Sequence, residues 1–393
     1  MARTFDGAVT ISDSTTQVRS LQAVATLRLV LGLAALLGAI IFLEGTSWDI
    51  QWHSYIGRDR TLIPPHIIML SGVTLSGIAG LLTVLIESWW ARHNDLVARH
   101  SLGFAEIFSG PLGAYVVGFM ALTAAVAFPL DAYWHSLYGI DVAIWAPFHV
   151  MFIASMGIVA LGATYMLISA AHLVDGRGVS ALRIRRTATL GATLALATVL
   201  SLFTLLLFDA FEERNLIHLG FMSINVFPLL SGILVAFTLV VAAYAIPWRW
   251  AATAVSVCYL FLAGIMAVFV QPATDWLLSV EQLHYRDAPP FTSVVALEWF
   301  ITPLVVGVLI DIIMHRSQKK QWSEKRLTLF LTLAALLSGA LPIIPIYPLL
   351  PAIMALQVGI AGFLVSLLFG LVGSYLGTFF GRNVGKSLKA LER

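Results

Sequence analysis

Residues 25–46 read ATLRLVLGLAALLGAIIFLEGT, an apolar run in which only Arg28 and Glu44 are charged. A bilayer core about 30 Å thick needs about 20 such residues in a helix. The run is longer than the apolar part of a secretory signal and no small-x-small cleavage site follows it, so we expect it to stay in the mature chain. This stretch predicts a membrane-spanning helix, and its length sets the window for searching the remaining sequence.

Nine further windows of this kind predict an all-α, polytopic transmembrane bundle of about ten spans. They cover residues 65–87, 108–130, 147–171, 188–210, 219–245, 250–270, 292–314, 327–344 and 353–380. The composition agrees, because 59% of the 393 residues are hydrophobic and 11% are charged, whereas soluble domains are about 25% charged. These values exclude a soluble globule, a disordered chain and a nucleic-acid partner. The single Cys258 excludes an internal disulfide and every CxxC motif.

Basic residues are distributed unevenly between the two faces that ten spans create. Of the 23 lysines and arginines, 19 fall on the side of both termini, which the positive-inside rule assigns to the cytoplasm. We expect an integral protein of a bacterial inner membrane whose opposite face is periplasmic. The predicted organisation is a cytoplasmic tail at 1–24, a membrane domain at 25–245, and additional helices with a basic tail at 246–393.

Two segments of the periplasmic face repeat each other. The first copy reads WDIQWHSYIGRD from Trp48, and the second reads LDAYWHSLYGID from Leu130. A second histidine follows each copy after a proline, and the second copy has one extra residue before it. Each copy joins an outgoing and a returning span, so the bundle is predicted to be built partly from repeated helical hairpins.

The spacing within each copy predicts a metal site. An aspartate and a histidine four residues apart share one face of a helix, and a proline in the first helical turn places the second histidine at the start of the returning span. The predicted ligands are Asp49, His53 and His66 in the first triad and Asp131, His135 and His149 in the second triad. Such a set suits Cu(II), zinc or Fe(II), and leaves positions open for water, O₂ or substrate.

Three further acids lie close to the triads in the sequence. Asp59 and Asp141 are candidates to orient an imidazole N–H, the alternatives being helix capping or contact with water. Glu44 precedes the first triad on the same helix and is a candidate to receive protons or complete a ligand set. A hydrogen bond between helices is the alternative function for Glu44.

At these residues the sequence resembles the C subunit of the copper-containing membrane monooxygenases, the particulate methane and ammonia monooxygenase family. The two sites of that family have the patterns Asp-x3-His-x12-His and Asn-x3-His-x13-His, and both spacings recur here, with Asp131 at the typical asparagine position. The resemblance covers residues 25–175, with a weaker extension towards 245. It implies a copper cofactor, O₂-dependent hydroxylation of methane, a short alkane or ammonia, and companion subunits.

Two other functions stay open at this point. A metal or solute transporter would use the ten spans as a pathway, with Glu298 in the predicted span 292–314 as its deep acid. An assembly scaffold would instead hold structural zinc in the triads. The sequence assigns no function to residues 246–393.

Overall fold

The computed structural model of the chain describes residues 9–57, 60–139, 143–174, 178–208, 216–344 and 349–391. Within these residues the protein is helical apart from two short antiparallel hairpins, so the all-α prediction is confirmed. The helices are α1 (Val9–Tyr55), α2 (Pro64–Ala91), α3 (Asp95–Arg99), α4 (Leu112–Tyr138), α5 (Pro147–His172), α6 (Val179–Phe208), α7 (Phe227–Ala245), α8 (Ala251–Glu281), α9 (Val294–Leu297), α10 (Thr302–Lys320), α11 (Glu324–Ala340) and α12 (Leu350–Ala390). The strands are β1 (Leu102–Phe104), which pairs with β2 (Phe108–Gly110), and β3 (Leu216–His218), which pairs with β4 (Ser223–Asn225).

Eight of the described helices are long and apolar enough to cross a membrane, namely α1, α2, α4, α5, α6, α7, α8 and α12. The other two predicted spans correspond to α10 and α11. Helix α11 has only 17 residues, and α10 ends in a basic turn that contains Lys319 and Lys320. Both helices are therefore weaker candidates for membrane crossing than the other eight.

The predicted span 292–314 is not one continuous helix. The chain forms the single turn of α9, ends it at Leu297, and begins α10 only at Thr302. Pro303 fits this second start, because proline is tolerated in the first helical turn, where its missing N–H has no partner within the helix. The span 353–380 lies within the longer α12, which is interrupted at Gly359, where φ is 70° and ψ is 172°.

Helices α1 with α2 and α4 with α5 form two hairpins that pack side by side, with α2 against α4 and α1 against α5. In the first hairpin, the backbones of α1 and α2 come into direct contact. A Cβ atom on Gly38 would lie 2.5 Å from the Gly72 carbonyl oxygen, which is the close contact that small residues allow in membranes. The side-by-side packing brings the two sequence copies to one end of the bundle, here called the motif end.

A buried ion pair lies near the opposite end of the first hairpin. Arg28 and Glu87 have fully buried side chains, and Arg28 also donates to the His100 carbonyl oxygen at 2.7 Å. Ser101 completes the cluster by donating to Glu87 at 2.9 Å. Along α1, Arg28 lies about 30 Å from Asp49, a distance that equals the thickness of a bilayer core. Because its side chain is fully buried and paired with Glu87, Arg28 is an internal ion-pair partner rather than a solvated charge.

The helices after residue 246 include two that pack against the preceding helices. Helix α8 contacts α1 and α6, and α12 packs along α7. The α7–α12 contact is made by glycines four residues apart. Cβ atoms on Gly373, Gly377 and Gly381 would lie 2.2, 2.4 and 2.7 Å from backbone carbonyl oxygens of α7. The α8–α1 contact is the one that reaches the motif end.

Candidate metal centre

The structure assembles both predicted triads. Within each triad, one ligand atom from every residue lies within 4.8 Å of the others. The backbone explains the convergence, because α1 and α4 continue beyond the last strongly apolar turn and α2 and α5 each begin with a proline. Glycines with positive φ, Gly57 at 66° and Gly139 at 86°, turn the chain after the first helix of each hairpin.

The first triad has the dimensions of a metal site. The Nε2 atoms of His53 and His66 lie 3.5 and 3.0 Å from the same oxygen, Oδ1 of Asp49. Two ligands on one ion, each bonded at about 2.0–2.1 Å, are themselves about 2.9–3.4 Å apart. The side chains are 10–17% exposed, so the site is shielded but remains reachable from one side.

The second triad repeats this arrangement. His135 Nε2 lies 3.3 Å from Oδ2 of Asp131, and His149 Nε2 lies 3.4 Å from Oδ1. His149 is the most open of the six ligands, with 24% of its side chain exposed. The second site is thus equally compact and slightly more accessible to solvent.

Backbone contacts fix the orientation of three of the four imidazoles. The Nδ1 atoms of His66, His135 and His149 lie 3.2, 3.1 and 2.9 Å from the carbonyl oxygens of Thr61, Gly139 and Ala143, in that order. A carbonyl oxygen only accepts, so each Nδ1 is the donor and carries the proton. A neutral ring with its proton on Nδ1 presents the lone pair of Nε2 to the carboxylate, which is the orientation that metal-binding histidines adopt.

When these rings are neutral, acceptor atoms face each other at both sites. Asp49 Oδ1 and Asp131 Oδ1 are buried, and imidazole nitrogens lie 3.0–3.5 Å away. Lone pairs directed at one point repel unless a proton or a metal cation lies between them. Buried acceptors without donors cost free energy, so the donor set fits a cation.

The two triads open onto one small cavity. Its volume is about 60 Å³, and its wall contains Asp49 and His53 of the first triad and His149 of the second. Met69 and Phe152 complete the part of the wall nearest these ligands. A molecule in this cavity would therefore contact ligands of both sites.

Aromatic rings separate the triads from the rest of the membrane domain. Phe128 packs edge-on against His66 with ring centroids 5.8 Å apart, and Phe152 packs against Phe128 at 6.1 Å. Trp134 meets Phe148 edge-on at 5.9 Å beside the second triad. These rings were not singled out from the sequence, although Phe152 lies one helical turn after His149 and shares its face.

The structure describes one of the three auxiliary acids, Glu44. Glu44 precedes Asp49 by five residues, which places it about 140° away around α1, and it does not line the shared cavity. Its two carboxyl oxygens are buried and have no hydrogen-bond partner among the described residues. Asp59 and Asp141 lie outside the described residues, so their predicted contacts with the imidazoles stay predictions.

The chain matches no family model, no curated protein and no solved structure. The two triads stand on their own geometry.

Proposed function

We propose that this chain is a copper-binding integral membrane subunit, similar to the C subunits of membrane-bound monooxygenases, that supports O₂-dependent hydroxylation of a small substrate. One observation carries the proposal. Two triads with the same ligands converge on the same end of the bundle and share a cavity. The ligand spacings supply the resemblance, and the convergence of lone pairs supplies the physical reason for a metal.

Copper is favoured over zinc and iron by the donor atoms around the cavity. Two imidazoles and a carboxylate accept all three metals. The cavity wall also contains Met69, whose thioether is a soft ligand that favours Cu(I) over zinc. The imidazoles and the carboxylate would bind Cu(II), and the thioether would stabilise Cu(I), so this set of donors suits a copper ion that changes oxidation state.

The cavity dimensions support a compact substrate. The cavity measures about 60 Å³, and one water molecule needs about 10–15 Å³ measured in the same way. O₂, methane, a short alkane or ammonia fits this space better than a large metabolite does. Copper would supply O₂ binding and activation, and the apolar side chains of Phe152 and Ile153 would limit water at the site.

The proposal also includes the surroundings of the site. The motif end would face the periplasm of a bacterial inner membrane, with both termini in the cytoplasm, as the distribution of basic residues favours. Hydroxylation also consumes electrons and protons, which companion subunits or another donor outside this chain would supply. Exposed apolar side chains such as Val268, Leu356 and Ile360 would contact lipid.

The test is the copper content of the full chain in lipid nanodiscs, measured by mass spectrometry after reconstitution. We expect His53→Ala and His135→Ala each to lower the copper bound per chain. The matched control is His93→Ala, because His93 is exposed and its Nδ1 contacts only the Trp89 carbonyl one turn earlier. Full copper content in both ligand variants would contradict the proposal.

A scaffold with structural zinc is the second candidate, because the same triads fit a tetrahedral zinc site. It predicts zinc at both triads after exposure to equal zinc and copper, and no O₂ consumption with any small substrate. The transporter alternative would use Glu298 as its deep acid. Glu298 follows the single turn of α9 and lies at the interruption before α10 rather than inside a continuous helix.

A further inference from the structure

The two sequence copies differ in how their helices are covered at the motif end. Gln51, between Asp49 and His53 in the chain, is fully buried on the side of α1 away from the first triad. Its counterpart in the second copy, Tyr133, is 62% exposed. The neighbouring residues Leu137 and Tyr138 of the second copy are exposed as well. Among the described residues, only the first copy is therefore held from behind by another part of the chain.

Gln51 is held by hydrogen bonds at both ends of its amide. Its Nε2 donates to Oε1 of Gln271 at 2.7 Å and, more weakly, to Thr274 at 3.4 Å. Its Oε1 accepts from the backbone N–H of Val294 at 3.1 Å. These bonds connect α1 to α8 and α9, which belong to the region that the sequence left without a function.

The partner of Gln51 is itself fixed in place. Gln271 donates to Asp275 at 3.1 Å and to the Tyr285 hydroxyl at 2.9 Å, and this hydroxyl donates to Asp275 at 2.7 Å. Burial and the adjacent Asp275 carboxylate raise the pKa of the Tyr285 phenol, so it remains a donor at neutral pH. The amide of Gln51 therefore meets a preorganised network rather than a mobile side chain.

A second connection holds the turn that follows α1. The backbone N–H of Arg286 donates to the Tyr55 carbonyl at 2.9 Å, and its guanidinium donates to the Gly57 carbonyl at 3.1 Å. A Cβ on Gly57 would lie only 2.0 Å from Arg286 Cζ, whereas no described atom lies within 4 Å of the corresponding position at Gly139. The same segment thus contacts the first copy twice, and no described residue makes the corresponding contact at Gly139.

We propose that residues 271–294 act as a brace that sets the rotation of α1, with Gln51 as the positioning residue that aims Asp49 and His53 at the metal of the first triad. The brace acts on the first triad and not on the second. This inference rests on the proposed metal-binding function.

The geometry gives the size of the effect. Side-chain atoms lie about 5–6 Å from a helix axis, so a rotation of about 20° moves a ligand atom by about 2 Å, which equals a whole metal–ligand bond. Residues that orient metal ligands typically change metal affinity by about 10–100-fold when they are replaced. Loss of the brace should therefore weaken the first site by at least about 10-fold.

The test measures copper affinity in two backgrounds of the full chain in nanodiscs. Protein carrying His135→Ala with His149→Ala retains only the first triad, and protein carrying His53→Ala with His66→Ala retains only the second. Cu(II) is titrated against a competing chelator, with the electron paramagnetic resonance spectrum recorded at each step. We expect Gln51→Met to lower the affinity of the first triad about 10-fold or more and to shift its Cu(II) spectrum, while the second changes by less than about 2-fold.

Two further variants separate positioning from loss of folding. Arg286→Ala removes an exposed side chain and its bond to Gly57, so it tests the brace even if Gln51→Met fails to fold, and it should weaken the first triad alone. Ser279→Ala is the control within the same segment and should leave both sites unchanged. Ser279 is exposed, bonds to Trp276 of its own helix, and is not one of the residues through which the brace contacts the first copy.

Three results would overturn the brace. Unchanged affinity of the first triad in both Gln51→Met and Arg286→Ala is the first. An equal loss at both triads is the second, because it would show a general structural effect. The third is a first-triad protein with Gln51 intact that binds no copper, zinc or iron, which would overturn the metal assignment itself. The intact second-triad protein distinguishes that failure from a failure of the brace.

Discussion

If the triads hold a metal as proposed, the charge of each aspartate would set how strongly a divalent ion is bound. Asp131 occupies the position where the family that the sequence resembles typically has asparagine, so the second triad has a carboxyl group that is largely shielded from solvent. An asparagine side chain keeps an oxygen ligand but loses the Coulombic attraction, which is strong in a partly buried site. The charge at residue 131 should therefore decide the affinity of the second triad.

Asp131→Asn should lower the Cu(II) affinity of the second triad by about 10-fold or more without changing its ligand number. The measurement is a competition titration of protein that retains only the second triad. Asp131→Asn in protein that retains only the first triad is the control and should have no effect. An unchanged or higher affinity of the second triad would show that Asp131 does not contact the metal.

The thioether of Met69 makes a separate prediction about oxidation state. Met69→Leu conserves volume at this buried position and should leave the fold intact, because such apolar exchanges usually cost less than about 1.5 kcal/mol. We expect it to weaken the retention of Cu(I) and to leave Cu(II) and zinc retention nearly unchanged. Dialysis of the reduced and oxidised protein against chelator, followed by copper analysis, checks this. Equal loss of both oxidation states would contradict a soft-ligand function for Met69.

At the scale of single helices, the contact between α7 and α12 depends on direct backbone approach. In Gly377→Leu, the new Cβ atom would lie only 2.4 Å from the Ile233 carbonyl oxygen, so the two helices must separate. We expect a loss of several kcal/mol, as overpacking and lost helix contacts both destabilise. Thermal unfolding in detergent measures it.

Gly264→Leu is the matched control for that variant. Gly264 lies in α8 with no described atom within 4 Å of its Cβ position, so it should tolerate leucine with no loss of thermal stability. A similar loss in both variants would indicate that helix–helix packing at Gly377 is not the cause.

The buried pair between α1 and α2 allows a test by paired substitution. Arg28→Met leaves Glu87 as an uncompensated buried charge and should cost about 3–5 kcal/mol, whereas Arg28→Met combined with Glu87→Met should recover most of that loss. Thermal unfolding of the single and double variants provides the comparison. A double variant as unstable as the single one would mean that the other hydrogen bonds of Arg28, not the ion pair, hold this end of the hairpin.

For the molecule as a whole, the sequence was sufficient to predict those features whose determinants lie close together in the chain. Apolar windows predicted the helices, and the ligands of each triad lie within 19 residues of one another in the chain, with helix periodicity and a proline to fix their approach. Arg28 was ambiguous because the sequence alone does not reveal that Glu87 lies opposite it. The interruption before Thr302 was missed for a different reason. Its signal, Pro303, is local, but the average hydropathy of a window of about 20 residues hides a single proline.

Contacts between distant parts of the chain left no sequence signal. Gln51 and Gln271 are 220 residues apart, and Arg286 and Gly57 are 229 apart, so neither pair could be matched without the packing of α8 on α1. The shared cavity has the same origin, because it requires the two hairpins to pack side by side. These long-range contacts give the later helices a position beside the first triad, which their composition alone did not indicate.

The most direct measurement of the central claim is pulsed electron paramagnetic resonance of the Cu(II)-loaded full chain in nanodiscs. Coordination through Nε2 leaves Nδ1 as a remote nitrogen that couples weakly to the copper spin. We expect this coupling in the wild-type protein and in His93→Ala, and its loss when His53, His66, His135 and His149 are all replaced by alanine. The same coupling in the protein without these four histidines, or its absence from the copper-loaded wild type, would contradict the account.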